Sequence, residues 1–168
     1  EPLRPFPDEQ SDVLALVRYY RGALDEAEEL ASEAAVLLER LGDRHILLQN
    51  ARTLAKCALA RGDAGDAELR LREHLATAKE LGGWLLVEFH RYLAEALVRQ
   101  GRIHEAAAAA VAARDSLPAE DAYASAAALM AEIVTTDGAT SPGVTQERIA
   151  EALRLLQEHN LLLDLEEA

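Results

Sequence analysis

The sequence predicts an all-α protein of about four helical hairpins, and three observations carry that prediction. Ala, Leu, Glu and Arg, all strong helix formers, dominate the 168 residues, and aromatics make up only 4%. Three of the five prolines fall in the opening "EPLRPFP" (1–7), which leaves the remainder free to hold long helices. The third observation is an internal repeat. "LALVRYYRGALDEA" (14–27) lies over "LAKCALARGDAGDA" (54–67) and "LAEALVRQGRIHEA" (93–106). Ala15, Ala55 and Ala94 each precede a glycine (Gly22, Gly62, Gly101) by seven residues, and an alanine (Ala27, Ala67, Ala106) follows five later. "MAEIVTTDG" (130–138) is a degenerate fourth copy with Ala131, and the copies are spaced by 40, 39 and about 37 residues.

Each element follows from that register. A small residue in mid-helix lets a neighbouring helix approach closely. A glycine at the helix end supplies the left-handed cap that other residues adopt only at a cost. The alanine one turn into the next helix lets the two antiparallel helices meet at their shared end. First helices are therefore predicted at 9–21, 44–61, 84–100 and 120–136, and second helices at 24–41, 65–81, 103–116 and 145–159. "LGD" (41–43), "LGG" (81–83) and "LPAED" (117–121) supply turn and N-cap residues between hairpins. "ATSPGVT" (139–145) is a loop that interrupts the fourth. The organisation expected is a linker at 1–8, repeats at 9–42, 43–82, 83–118 and 119–159, and an apolar tail at 160–168. The linker-like opening, without an initiating Met, reads as that of a piece from a longer protein.

A net charge of −13 supplies no cationic excess for phosphates, which argues against direct nucleic-acid binding and against docking on anionic membranes. No apolar run reaches membrane-spanning length. The single cysteine, Cys57, leaves no internal disulfide and fits a reducing, cytoplasmic compartment.

The small residue–Gly–Ala hairpin pattern, at Ala55–Gly62–Ala67 and Ala94–Gly101–Ala106, resembles the tetratricopeptide repeat family over nearly the whole chain after the first eight residues. The bulky aromatic usual in that family's second helix is replaced by Ala31, Leu71 and Ala110, and the repeat is longer than the family standard. Long Ala/Leu/Arg-rich repeats of this kind look like those of large bacterial regulators, including the maltose-activator type of transcription factor and multidomain ATPase or cyclase proteins. The resemblance implies a right-handed α-α superhelix, used as a protein-interaction, signalling or sensory scaffold beside a separate output domain, whose concave groove is lined by the first helices. It places Asp12, Leu16, Tyr19 and Tyr20, then Gln49, Arg52 and Lys56, then Glu88, Arg91, Glu95 and Arg99, then Ser125, Ala128 and Glu132 on that lining.

Within this set the residues at 43–61 carry Arg44, Arg52, Lys56 and Arg61 against Asp43, a basic stretch in an acidic chain. Arg52 and Lys56 are one helical turn apart, so they share a face. Tyr19, Arg52, Lys56 and Arg91 are the residues expected to hold a peptide with acidic groups. The competing expectation is that Arg52 and Arg91 pair internally with Glu88 and Glu95. Two other partner classes fit the sequence. One is a small-molecule inducer, limited by scarce aromatics (Tyr19, Tyr20, Trp84, Phe89, Tyr92, Tyr123). The other is a homodimer through Leu161, Leu162, Leu163 and Leu165.

Catalysis is not expected, and neither is a cofactor or metal. "ARGDAGDAE" (60–68) contains an Arg-Gly-Asp triplet, yet it is too short for a calcium loop and lacks the Lys-Ser/Thr of a phosphate loop. It reads as the corner between two helices. His45, His74, His90, His104 and His159 are scattered and Cys57 has no histidine partner nearby in sequence. The carboxylates Asp25, Glu26, Glu28, Glu29, Glu33 and Glu39 read as one solvated helix face.

Overall fold

The computed structural model describes residues 7–117, 121–136, 147–151 and 153–154. Among them every regular element is an α-helix. The chain divides into two compact units, Glu1–Leu81 and Gly82–Ala168.

The first unit holds α1 (Pro7–Tyr20), α2 (Leu24–Leu41), α3 (Arg44–Ala60) and α4 (Ala64–Leu81). α1 packs on α2, α3 packs on α4, and α3 also packs on both helices of the preceding hairpin. The second unit holds α5 (Gly83–Arg99), α6 (Ile103–Asp115) and α7 (Ala122–Thr136), with helical residues again at 147–151 and 153–154. There α5 packs on α6, and α7 packs on both. The order of packing is the same in each unit.

The helix ends follow the glycines. Gly22, Gly62 and Gly101 have φ of 73°, 82° and 74°. At each, the glycine N–H donates three residues back (to Tyr19, Leu59 and Val98) and the next N–H donates five back (to Arg18, Ala58 and Leu97), at 2.9–3.0 Å. That double bond is a Schellman closure, which satisfies carbonyls the ended helix would otherwise leave open. Asp43 caps α3 through Ile46 N–H at 3.1 Å, and Asp121 caps α7 through Ala124 N–H at 2.9 Å.

Most boundaries differ from expectation by one or two residues, and two of the differences bear on the reading. α1 starts at Pro7, inside the expected linker, because proline at a first helical position gives up no bond and its fixed φ already suits the helix. α4 starts at Ala64, so Gly65 and Asp66 belong to its first turn and the corner itself is only Arg61 to Asp63. The loop at 139–145 and the tail at 160–168 lie outside the described residues, as do 155–159 of the eighth expected helix.

The repeat register is also the packing register. Ala15, Ala55, Ala94 and Ala131 on the first helices, and Ala27, Ala67 and Ala106 on the second, are all wholly buried. Ala31, Leu71 and Ala110 are buried too, one turn beyond that alanine. The second helix α2 therefore shows water one face and buries the stripe Ala27, Ala31, Ala34 and Leu38. By contrast α3 is buried on all sides from Asn50 to Leu59. Ala15, Ala31 and Leu54 form one cluster, with Leu30 packed against it, and this joins three helices of the first unit.

Candidate functional site

The expected site residues fall into two sets, one per unit. In the first unit the basic stretch of α3 does not stay together. Arg44 pairs with Glu80 of α4. Arg61 reaches back to α2, where it binds Asp25 at 2.5 Å and also Glu28. Arg70 of α4 joins the same network through Glu28 at 3.2 Å and Asp66 at 2.6 Å. The two remaining cations turn inward: Arg52 and Lys56 are only 8% and 6% exposed.

Lys56 has a built environment. Its Nζ donates to Tyr20 Oη at 3.0 Å and lies 4.5 Å from the ring centroids of both Tyr19 and Tyr20. The two rings meet edge to face, 5.3 Å apart with planes at 74°. A buried ammonium needs compensation for lost water, and two π faces with a hydroxyl oxygen supply it. Gln49, half-buried, offers its backbone carbonyl to Thr53 Oγ1 at 3.2 Å. Leu16, half-buried, lies one turn before Tyr20 on α1, and the side chain of Asp12 lies outside the described residues.

In the second unit Arg91 pairs with Glu88 at 3.1 Å, and Glu88 is only 1% exposed. The Arg91 guanidinium carbon also lies 4.1 Å from the Tyr92 ring centroid, and Nη1 approaches Met130 Sδ at 3.8 Å. One internal pair expected from the sequence thus forms, whereas Glu95 pairs with Arg99 at 2.6 Å on the exposed end of α5. Glu132 accepts Arg114 at 3.1 Å and Arg148 at 3.4 Å. Ser125 Oγ donates to Asp121 O at 2.9 Å, and Ala128 is buried. Phe89 is wholly buried, so it is a core side chain and offers no ring to a ligand.

The Arg-Gly-Asp triplet is committed to the corner. Arg61 holds α2, Gly62 turns the chain, and Asp63 caps α4 through Asp66 N–H at 2.9 Å. Cys57 is wholly buried, and its thiol is pushed up to about 11, first by burial and then by the Glu28 carboxylate. Among the described residues no three His, Cys, Asp or Glu side chains converge as a metal site, and His159 lies outside them. No helix among them is long and apolar enough to cross a membrane.

Sequence reasoning placed Tyr20 on the lining but gave it no partner. The signal was available: Tyr20 and Lys56 are 36 residues apart, one repeat less one helical turn, the offset expected where one first helix packs beside the next. No protein-family model, curated protein or solved structure matches the chain.

Proposed function

We propose that the chain is a non-catalytic interaction module of the tetratricopeptide kind, a right-handed α-α superhelix that holds a peptide or partner domain within a larger, cytoplasmic bacterial regulatory protein. The observation that supports this most is the recurrence of one corner. The same glycine closure, followed five residues later by a buried alanine, occurs at Gly22, Gly62 and Gly101. A chain that repeats one packing rule builds an extended surface, and such surfaces are used for binding.

In the first unit the proposed binding set is Tyr19, Gln49, Arg52 and Lys56, with both cations behind the surface. Two half-buried tyrosine rings flank a buried ammonium, with a second cation one turn away. That chemistry suits an acidic side chain that displaces the Tyr20 hydroxyl from Lys56 and puts a carboxylate in its place. In the second unit Glu88, Arg91, Glu95 and Arg99 already form two internal pairs, so their charges are matched within α5.

Fluorescence anisotropy with Glu/Asp-rich and Lys-rich peptides of equal length tests the proposal. Acidic peptides bind the parent chain, and Arg52→Met with Lys56→Met abolishes that binding while the helical spectrum and melting midpoint persist. Equal binding by the double variant rejects it. The tyrosine pair around a cation also favours a second reading, a carboxylate-bearing metabolite. Thermal-shift screening of metabolites against peptides separates the two by which class raises the midpoint. The dimer expectation rests on residues 160–168, outside the described residues.

A further inference from the structure

α1 exposes a face that its counterpart α3 buries. Stepping from Ala15 to Ala55 sets Val13, Leu14 and Val17 over Thr53, Leu54 and Cys57. The α3 residues are 1%, 8% and 0% exposed, and those of α1 are 61%, 41% and 38% exposed. The cover over α3 is known. Leu54 packs with Leu30 and Ala31 of α2, and Cys57 lies close enough to Glu28 of α2 for that carboxylate to oppose its ionisation.

A charge marks the same place. Arg61, just beyond α3, binds Asp25 and Glu28 in the first turns of α2. Its counterpart just beyond α1 is Arg21, which is exposed and makes no ion pair among the described residues. An apolar stripe and an arginine thus recur in one register, met by α2 at α3 and by nothing described at α1.

We propose that Val13, Leu14, Val17 and Arg21 form the docking surface for the second helix of one more hairpin of this same repeat, linked ahead of α1 as α2 is linked ahead of α3. The chemistry of the occupant follows from α2. It carries a leucine-and-alanine stripe like Leu30, Ala31 and Ala34, and two carboxylates three residues apart in its first turns to receive Arg21. The inference continues an interface already present in the fold, and it goes beyond the ligand-binding function without depending on it.

The test compares the full chain with a chain in which an added copy of residues 4–43 precedes residue 4, which preserves the repeat step. Amide hydrogen exchange of α1 slows roughly tenfold or more in the extended chain. Arg21→Glu reverses part of that protection, and Asp25→Lys with Glu28→Lys in the added copy alone restores it. Unchanged α1 exchange overturns the proposal. A second measurement needs no extension. Val13→Glu with Val17→Lys in the parent chain leaves the melting midpoint within error, because the face is uncovered there. A clear fall shows that the chain already covers this face and overturns the proposal. So does a parent chain that sediments as a dimer and that Val17→Asp dissociates, because the occupant is then a second copy.

Discussion

Removing the Tyr20 hydroxyl tests whether the lysine seat is an energetic unit. Tyr20→Phe deletes the oxygen that accepts from Lys56 Nζ at 3.0 Å but keeps the ring 4.5 Å from the charge. A hydrogen bond to a charged group is worth about 1.5–3 kcal/mol, so that is the expected loss while Lys56 is present. Lys56→Met keeps the length of the side chain and removes the charge. It forfeits the same bond and about 1–2 kcal/mol of cation–π attraction, but it also ends the cost of holding an ammonium away from water. Its own net effect is therefore small. In the Lys56→Met background, Tyr20→Phe has no charge left to lose and costs less than about 0.5 kcal/mol. The double-mutant cycle should thus return a coupling of about 1–3 kcal/mol, read from urea unfolding followed by far-UV circular dichroism. A coupling below about 0.5 kcal/mol refutes the reasoning, because the bond from Lys56 to the Tyr20 hydroxyl then contributes no more than solvent does.

Two further outcomes follow from the corner and the core. Gly62→Ala meets no atom within 4 Å, so its cost is the left-handed backbone alone, about 1–2 kcal/mol in urea unfolding. Gly62→Asn costs less than Gly62→Ala, since asparagine tolerates that conformation, and equal costs contradict the observed φ. Cys57 ionises near 9 in the unfolded chain and at about 11 in the folded one. The unfolded state therefore sheds its proton first as pH rises, and stability falls between those values by roughly 2–3 kcal/mol relative to Cys57→Ala. Parallel stability profiles for the two proteins above pH ~9 refute the buried-thiol assignment.

The helices were legible because their signals are local. Gly22, Gly62 and Gly101 end helices through bonds that reach only three to five residues back. The buried alanines repeat at fixed distances from those glycines, so the packing stripe could be read with the boundaries. Pro7 was misjudged because the proline-rich opening outweighed a single first-position preference. The basic stretch of α3 failed for a different reason. Net charge on a helix does not say which cations keep their water. Arg61 is drawn to Asp25 and Glu28 on another hairpin, and Lys56 to Tyr20, and these partners lie 33 to 36 residues away in sequence.

Those long-range pairs also explain why so acidic a second helix serves the fold. α2 was expected to be a wholly solvated carboxylate face, and Glu29, Glu33 and Glu39 are exposed as expected. Asp25 is exposed as well, yet it holds Arg61 of the next hairpin, and half-buried Glu28 holds both Arg61 and Arg70. Exposed pairs of this kind contribute little stability, at most about 1 kcal/mol each, so the buried alanine and leucine stripe must supply most of the binding between hairpins. That stripe has a weakness, because Ala27, Ala31 and Ala34 present nearly the same small surface at each turn. Over those three positions a slip of one helical turn would replace alanine with alanine and forfeit little apolar contact, and only Leu38 would resist it by packing. The slip would also move Arg61 about one turn, roughly 5 Å, from Asp25 and Glu28, which breaks their direct contact. The apolar stripe brings the two hairpins of the first unit together, and Arg61, just past α3, decides which turn they meet on.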